Sequence, residues 1–392
     1  MQPIDSEKLL VAIKSNQRVV GYTHNFYKYP ARFSPQFAYE AIQLFSEPGD
    51  LILDPFVGGG TAIVEASTLG RKSIGIDISS LATFITKVKT TPMNENQLSI
   101  IQQWTGQIPS IKLHSMDSLN SFWEENGYLK NMSDKDTWRV RNLINQILIK
   151  VDELDDQVSR EFIRCALLRT GQWALDGRRT IPTVNEFRTK LINNIIKMIG
   201  ELRDYSNQTQ RFFSEFEPDY LTILNRSSIG IESEPIFNNR SPRLILMSPP
   251  YPGVHILYHR WQIKSRRETP APFWIADKLD GSGESHYTLG NRQTHQKQEY
   301  FSEMLSVFES LSRISDDNTI IVQLLAFTNP VNQLPRYLSV MKKAGFEEIF
   351  LTSKKTRKRI WRDVPNRKWY TEFQERQSSS KEVVIIHKKT SS

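Results

Sequence analysis

Ser248, Pro249, Pro250 and Tyr251 bring a hydroxyl, a carbonyl oxygen and an aromatic face to the end of the apolar run Leu244-Ile245-Leu246-Met247. The run is too short for a typical helix and reads as a buried strand. Two successive prolines remove ladder donors and fix φ, so the strand stops at a rigid corner with carbonyls that no adjacent N–H can pair. Such a corner suits a flat base bearing an exocyclic amino group. Taken alone, the four residues also describe a strand entering a Pro-Pro turn with a packed tyrosine.

A second constellation lies upstream. Leu51-Ile52-Leu53-Asp54-Pro55-Phe56-Val57-Gly58-Gly59-Gly60-Thr61 runs into the helical Ala62-Ile63-Val64-Glu65-Ala66, and Lys72-Ser73-Ile74-Gly75-Ile76-Asp77 follows. The pattern is strand, glycine loop, helix and a strand ending in an acid. Glycines let a ligand approach the backbone, and an acid closing the second strand can accept two ribose hydroxyls. The spacing departs from the dinucleotide fingerprint, because three consecutive glycines follow Asp-Pro-Phe and Asp54 would repel a pyrophosphate. An acid there suits a ligand carrying an ammonium and no phosphate, as S-adenosylmethionine does.

Asp54-Pro55-Phe56-x-Gly58-x-Gly60-Thr61 with Glu65, Gly75-x-Asp77 and Ser248-Pro249-Pro250-Tyr251 resemble the cofactor and catalytic motifs of DNA amino-methyltransferases, which methylate N4 of cytosine or N6 of adenine. The segment His24 to Phe33 is similar to the stretch those enzymes place before the first strand, over the methionine moiety. The resemblance covers residues 20 to 92 and 220 to 390 and leaves the middle uncovered. It implies an α/β fold: a Rossmann-like methyltransferase sheet, doubly wound and mainly parallel with an antiparallel last strand, plus a mostly helical insertion. It also implies S-adenosyl-L-methionine as cofactor, with Asp54 on the ammonium and Asp77 on the ribose. The backbone at Gly58 to Gly60 would approach the methionine chain beside Pro55, Phe56 and Thr61, while Lys28, Tyr29 and Phe33 line its far end. The target base would be flipped onto Tyr251, with Ser248 and the Pro249 carbonyl accepting its amino protons and Pro250 completing the corner. Serine in the first position resembles the N4-cytosine enzymes, since the adenine enzymes usually carry Asp or Asn. N6-adenine is the alternative, followed by an RNA or protein amide target and by a non-catalytic DNA-binding subunit.

These groups need elements to hold them. Residues 6 to 14 suggest an amphipathic helix, and Pro35 opens another that ends before Pro48-Gly49-Asp50. The expected organisation is 1–92 as the N-terminal part of the methyltransferase domain, 93–218 as a helical insertion and candidate target recognition region, and 219–392 as the C-terminal part. Within the insertion, apolar residues recur at helical spacing over Arg141 to Asp155 and Asn185 to Tyr205. Its Arg164, Arg169, Arg178, Arg179, Arg188 and Lys190 either face solvent or meet a phosphate backbone. For the adenine contact Asp117 competes with Ser227 and Ser228, and the serines are preferred because they lie nearer the catalytic strand. Past Tyr251, aromatic and basic residues alternate, as they do again from Lys354 to Tyr370, a composition suited to nucleic acid. Residues 268 to 295 read as a long functional loop. Helix, strand, helix and strand are expected over Tyr300–Ile314, Thr319–Phe327, Leu334–Ala344 and Glu347–Thr352, with Lys381–His387 closing the sheet.

Composition sets outer bounds. The 392 residues carry 51 Lys and Arg against 43 Asp and Glu, a formal charge of +8, which favours a polyanionic partner, here double-stranded DNA. A cognate restriction endonuclease or defence-system subunit is the further partner to consider. Cys165 is the single cysteine, so an intrachain disulfide and a multi-cysteine zinc site are excluded and a reducing compartment is expected. Its place far from the Pro-Pro corner argues against methylation at cytosine C5, which needs a thiol nucleophile. His255 and His259 stand i, i+4 without the intervening Glu of a zinc helix, so no metal is expected. No stretch approaches a membrane span and the N-terminus lacks a signal pattern, so a soluble, cytoplasmic protein is expected.

Overall fold

The computed structural model describes residues 7–15, 19–29, 34–114, 121–214, 220–251, 260–264, 267–281, 283, 298–327, 329–351, 359–363 and 381–390. Among them the strands are β1 (Leu51–Asp54), β2 (Lys72–Asp77), β3 (Leu221–Asn225), β4 (Leu244–Met247), β5 (Trp261–Ile263), β6 (Arg267–Thr269), β7 (Ile320–Ala326), β8 (Phe346–Ile349), β9 (Ile360–Asp363) and β10 (Lys381–Lys389). The helices are α1 (Glu7–Lys14), α2 (Pro35–Phe45), α3 (Thr61–Thr68), α4 (Ser80–Thr90), α5 (Glu95–Thr105), α6 (Ser121–Glu125), α7 (Lys135–Asp152), α8 (Gln157–Leu175), α9 (Val184–Thr209), α10 (Ala271–Ala276), α11 (Gln298–Ile314) and α12 (Pro330–Lys343).

The main sheet runs β3-β2-β1-β4-β7-β10-β8, with β9 also on β10. Strands β3, β2, β1, β4 and β7 are parallel, and β10 is antiparallel to β7, β8 and β9. The chain is thus the doubly wound, mainly parallel sheet with an antiparallel last strand that the resemblance implied. Side-chain alternation shows why the central strands are continuously apolar: both faces are covered. Ile52, Leu244, Leu246, Val322, Leu324, Val384 and Ile386 join a cluster with α1 and α2. Their neighbours Leu53, Ile245, Met247, Ile321, Leu325, Val383 and Ile385 pack with α11 and α12 on the other face. Strand order reverses between β1 and β4, so the carboxyl ends of these two strands form the topological switch point where open α/β sheets take ligands.

The helices of residues 93–218 share one apolar cluster with Phe26, Tyr27 and Tyr29, with α4, with the β5–β6 hairpin and with α10. Polar bonds tie the same pieces: Trp261 Nε1 donates to Tyr27 Oη at 2.9 Å, and Asp176 accepts from the Gln262 amide at 3.0 Å. Helix α10 is a correction to the loop expected over 268–295. Its residues Ala271 to Ala276 are all buried, and tertiary burial overrides the local turn-forming composition around them. The third strand is Leu221–Asn225, and Ser227 and Ser228 follow it; Asp117 lies outside the described residues.

Candidate active site

At the end of β1, Asp54 is almost wholly buried and its Oδ1 accepts the Phe56 amide at 3.1 Å. Burial pushes its carboxyl up to about 8, and the charge of Asp77 adds to the rise against the opposing Phe56 amide. A neutral carboxyl held in this way is poised to ionise when a cation arrives. Asp77 ends β2 and accepts Gly58 N–H on Oδ2 and Ser79 N–H on Oδ1, both at 2.9 Å. Burial raises it to about 6, and these two amides hold the rise in check. Each of its oxygens keeps a second lone pair.

The glycine loop has steric reasons for its composition. Gly58 and Gly60 adopt φ of +46° and +75°, the left-handed region that glycine enters without strain. A Cβ on Gly60 would lie 2.7 Å from Thr86 Oγ1, and one on Gly59 would lie 2.9 Å from Tyr29 Cβ. Tyr29 therefore lies directly on the loop. His24 Nε2 and Glu65 Oε1, both buried, meet at 2.6 Å and fasten that segment to α3. The Lys28 backbone is held from the other side, donating to Gln172 Oε1 at 3.1 Å and accepting from its Nε2 at 3.0 Å. Phe33 lies outside the described residues.

Two groups that the sequence reading did not single out hold the loop from beneath. Lys89 Nζ, fully buried, donates to the Gly59 carbonyl at 2.6 Å, and Thr86 Oγ1 donates to that of Gly58 at 3.3 Å. Their i, i+3 spacing puts them on one face of α4. The available signal was a lysine among the apolar positions Ile85 and Val88. Thr61 is buried as the first residue of α3, as is Pro55, whereas Phe56 is half-buried. At the end of β3, Asn225 Nδ2 donates to the carbonyls of Asp77 and Ile78 at 3.0 and 3.1 Å. Ser228 Oγ donates to the Pro55 carbonyl at 2.6 Å, whereas the exposed Ser227 accepts the Ile229 amide at 3.1 Å. The buried serine thus braces the Asp-Pro-Phe turn, and Ser227 stands at the open end of β3.

On the other side of the switch point, Ser248 Oγ lies 3.2 Å from Tyr251 Oη, and Tyr251 Oη donates to Glu382 Oε1 at 3.1 Å. Glu382 is paired with Arg362, whose Nε lies 2.7 Å from Oε2. Tyr300 donates to the Pro250 carbonyl at 2.9 Å. Glu382, Arg362 and Tyr300 were not legible as site residues, because pairing across β9, β10 and α11 brings them in. His255 and His259 lie outside the described residues, as do most of the basic-aromatic stretches after Tyr251 and from Lys354 to Tyr370. In the insertion, Arg164 bonds Asp152 and the Ile275 carbonyl, Arg169 pairs with Glu201 and Arg188 reaches the Ile111 carbonyl. Arg178 and Lys190 instead stand over the Trp173 ring at 4.8 and 5.6 Å.

A family model described as DNA methylase matches residues 11–87, the stretch that holds Tyr29, the glycine loop and Asp77. That stretch is similar to the DNA amino-methyltransferases. The chain is 25% identical over 279 residues to the Type II methyltransferase M.MvaI of Kocuria varians, covering 62% of this chain and 58% of that protein. It is 32% identical over 113 residues to the Type II methyltransferase M.MjaII of Methanocaldococcus jannaschii, over 29% of this chain and 18% of that one. The chain therefore spans under two thirds of these curated relatives. The rRNA methyltransferase aviRa of Streptomyces viridochromogenes aligns over 98% of this chain and 94% of its own at 9% identity and a TM-score of 0.31. That score carries no weight, and the fold rests on the strand order itself.

Proposed function

We propose that this protein methylates the exocyclic N4 of cytosine in double-stranded DNA, with S-adenosyl-L-methionine as donor. The observation that carries the reading is the meeting, at one switch point, of a buried acid pair with a glycine loop on β1 and β2 and the Ser-Pro-Pro-Tyr corner on β4. The residues present fit the cofactor. Asp54 would take the ammonium, the spare lone pairs of Asp77 the two ribose hydroxyls, and Tyr29 and the loop backbone would flank the methionine chain; Ser227 would stand near the adenine ring. When bound, the cofactor supplies an electrophilic methyl carbon.

Ser248 and the Pro249 carbonyl would accept the amino protons of a flipped base, the Pro250 carbonyl being engaged by Tyr300. Holding those protons aims the nitrogen lone pair along the line of transfer, so orientation supplies the larger share of catalysis and no covalent enzyme intermediate is needed. The formal charge of +8 favours a DNA substrate. The Type II names of the relatives suggest service in restriction-modification, with a cognate endonuclease as partner. N6-adenine is the alternative target of the same corner. The test is transfer of labelled methyl from S-adenosylmethionine to duplex DNA. Incorporation that Tyr251→Ala abolishes supports the reading, and tight DNA binding with no incorporation across DNA of varied sequence contradicts it.

A further inference from the structure

Resting on the methyl-transfer reading above, we infer that Glu382 and Arg362 are positioning residues that fix the direction of the Tyr251–Ser248 hydrogen bond, so that Ser248 meets the substrate amino group only as an acceptor. A serine hydroxyl can donate or accept, and nothing in Ser-Pro-Pro-Tyr itself decides between the two. The neighbouring strands decide it.

Glu382 is the second residue of β10 and lies in register with Ala326 at the end of β7 on one side and with Arg362 of β9 on the other. Tyr251, leaving β4, reaches it past the end of β7. Glu382 and Arg362 are 6% and 8% exposed, and a buried ion pair is costly to desolvate and contributes little net stability by itself. Arg362 can only donate, and it delivers Nε and Nη2 to Glu382 Oε2 at 2.7 Å while Nη1 reaches the Ile13 carbonyl at 3.4 Å. The ion-paired carboxylate can only accept, so the one proton of Tyr251 goes to Oε1. Tyr251 Oη then has only lone pairs for Ser248 Oγ at 3.2 Å, and the serine proton must point to the tyrosine. What Ser248 presents to the cleft is lone pairs alone. An exocyclic amino group, which brings two protons, is matched; a carbonyl oxygen in its place meets lone pair against lone pair.

The chain of donors can be reversed with almost no change of shape. In Glu382→Gln, Arg362 claims the amide oxygen, the amide NH2 turns to Tyr251, and Tyr251 then donates to Ser248. The serine proton is driven toward the substrate amino group. Tyr251→Phe keeps the ring and removes the relay. Single-turnover methyl transfer to duplex DNA under saturating cofactor, with cofactor affinity measured in parallel, reads the effect. Glu382→Gln and Tyr251→Phe should each slow transfer by about tenfold, the worth of one misdirected hydrogen bond. Cofactor affinity should stay within about twofold, and the double variant should be no slower than Tyr251→Phe alone. A Glu382→Gln loss that recurs in full in the Tyr251→Phe background assigns Glu382 a general structural role and overturns the inference. Should Glu382→Gln fail to fold, Tyr251→Phe decides alone, and transfer at the wild-type rate overturns it. A wild-type protein that transfers no methyl to any DNA contradicts the methyl-transfer reading instead, which separates the two failures.

Discussion

With the methionine ammonium on Asp54, as proposed, cofactor binding becomes a proton-releasing event. Its carboxyl is raised to about 8, chiefly by burial and further by Asp77. At pH 7 such a group is about nine-tenths protonated, and ionising it to receive an ammonium costs about 1.4 kcal/mol, or a factor of about ten in affinity. Binding should therefore release just under one net proton at pH 7, and affinity should rise nearly tenfold per unit of pH well below the carboxyl's value, with the slope falling off as that value is approached. Above about pH 8 affinity should level and then fall, as the ligand's own α-ammonium deprotonates. Asp77, raised to about 6, is largely ionised at pH 7 and adds little there. Isothermal titration of S-adenosylmethionine in buffers of different ionisation enthalpy measures the proton count directly. Asp54→Asn should bind weakly, release no proton at pH 7 and lose the rise in affinity with pH. Wild-type protein with no proton release and flat affinity between about pH 6.5 and 7.5 would refute the assignment of the ammonium to Asp54.

The same group leaves a mark on the ligand-free protein. Because its folded value lies above the unfolded 3.8, the folded state binds the extra proton, and the contribution of Asp54 to stability is fully present below 3.8 and lost progressively as pH rises from there through about 8; in denaturant titrations Asp54→Asn should gain on wild type across that window. Gly59→Ala places a methyl 2.9 Å from Tyr29 Cβ, so it should destabilise by about 1–3 kcal/mol and weaken cofactor binding, seen by urea unfolding and titration. Lys89→Met removes the donor to the Gly59 carbonyl and should lower stability by about 1–3 kcal/mol, with a looser cofactor site. Asp77→Ala should chiefly raise the cofactor dissociation constant, whereas Tyr251→Ala should chiefly cut turnover, and steady-state kinetics separate the two patterns.

The candidate cofactor half was legible because its residues are linear in the chain. Asp54, Gly58 to Gly60 and Asp77 follow one another through a single strand-loop-helix-strand unit, and the short apolar run before Ser248 announced the strand β4. Those motifs also carried the sheet, since a strand order reversing at β1 brings the carboxyl ends of β1 and β4, which carry Asp54 and lead to Ser248, to the same edge. Lys89 stayed hidden because a lysine at a helical position is ordinarily solvated, and only the fold shows it beneath the Gly59 carbonyl. Glu382 and Arg362 were hidden for a different reason: their meeting with Tyr251 depends on cross-strand register over more than 100 residues of chain. The arginines of the insertion illustrate the limit of composition. Arg164, Arg169 and Arg188 read from composition as either solvated or phosphate-facing, and the fold shows their guanidinium groups bonded to protein acceptors. Helix α10 formed in a stretch of loop-like composition because Phe273, Trp274 and Ile275 are drawn into the cluster beneath the insertion.

The most direct measurement is nucleoside analysis by mass spectrometry of duplex DNA incubated with the protein and methyl-labelled S-adenosylmethionine. Label recovered in N4-methylcytosine, and lost with Tyr251→Ala, is the expected result. Label in N6-methyladenine alone would move the target of the Ser248 corner to adenine, and DNA bound tightly but left without label would contradict methyl transfer by this protein.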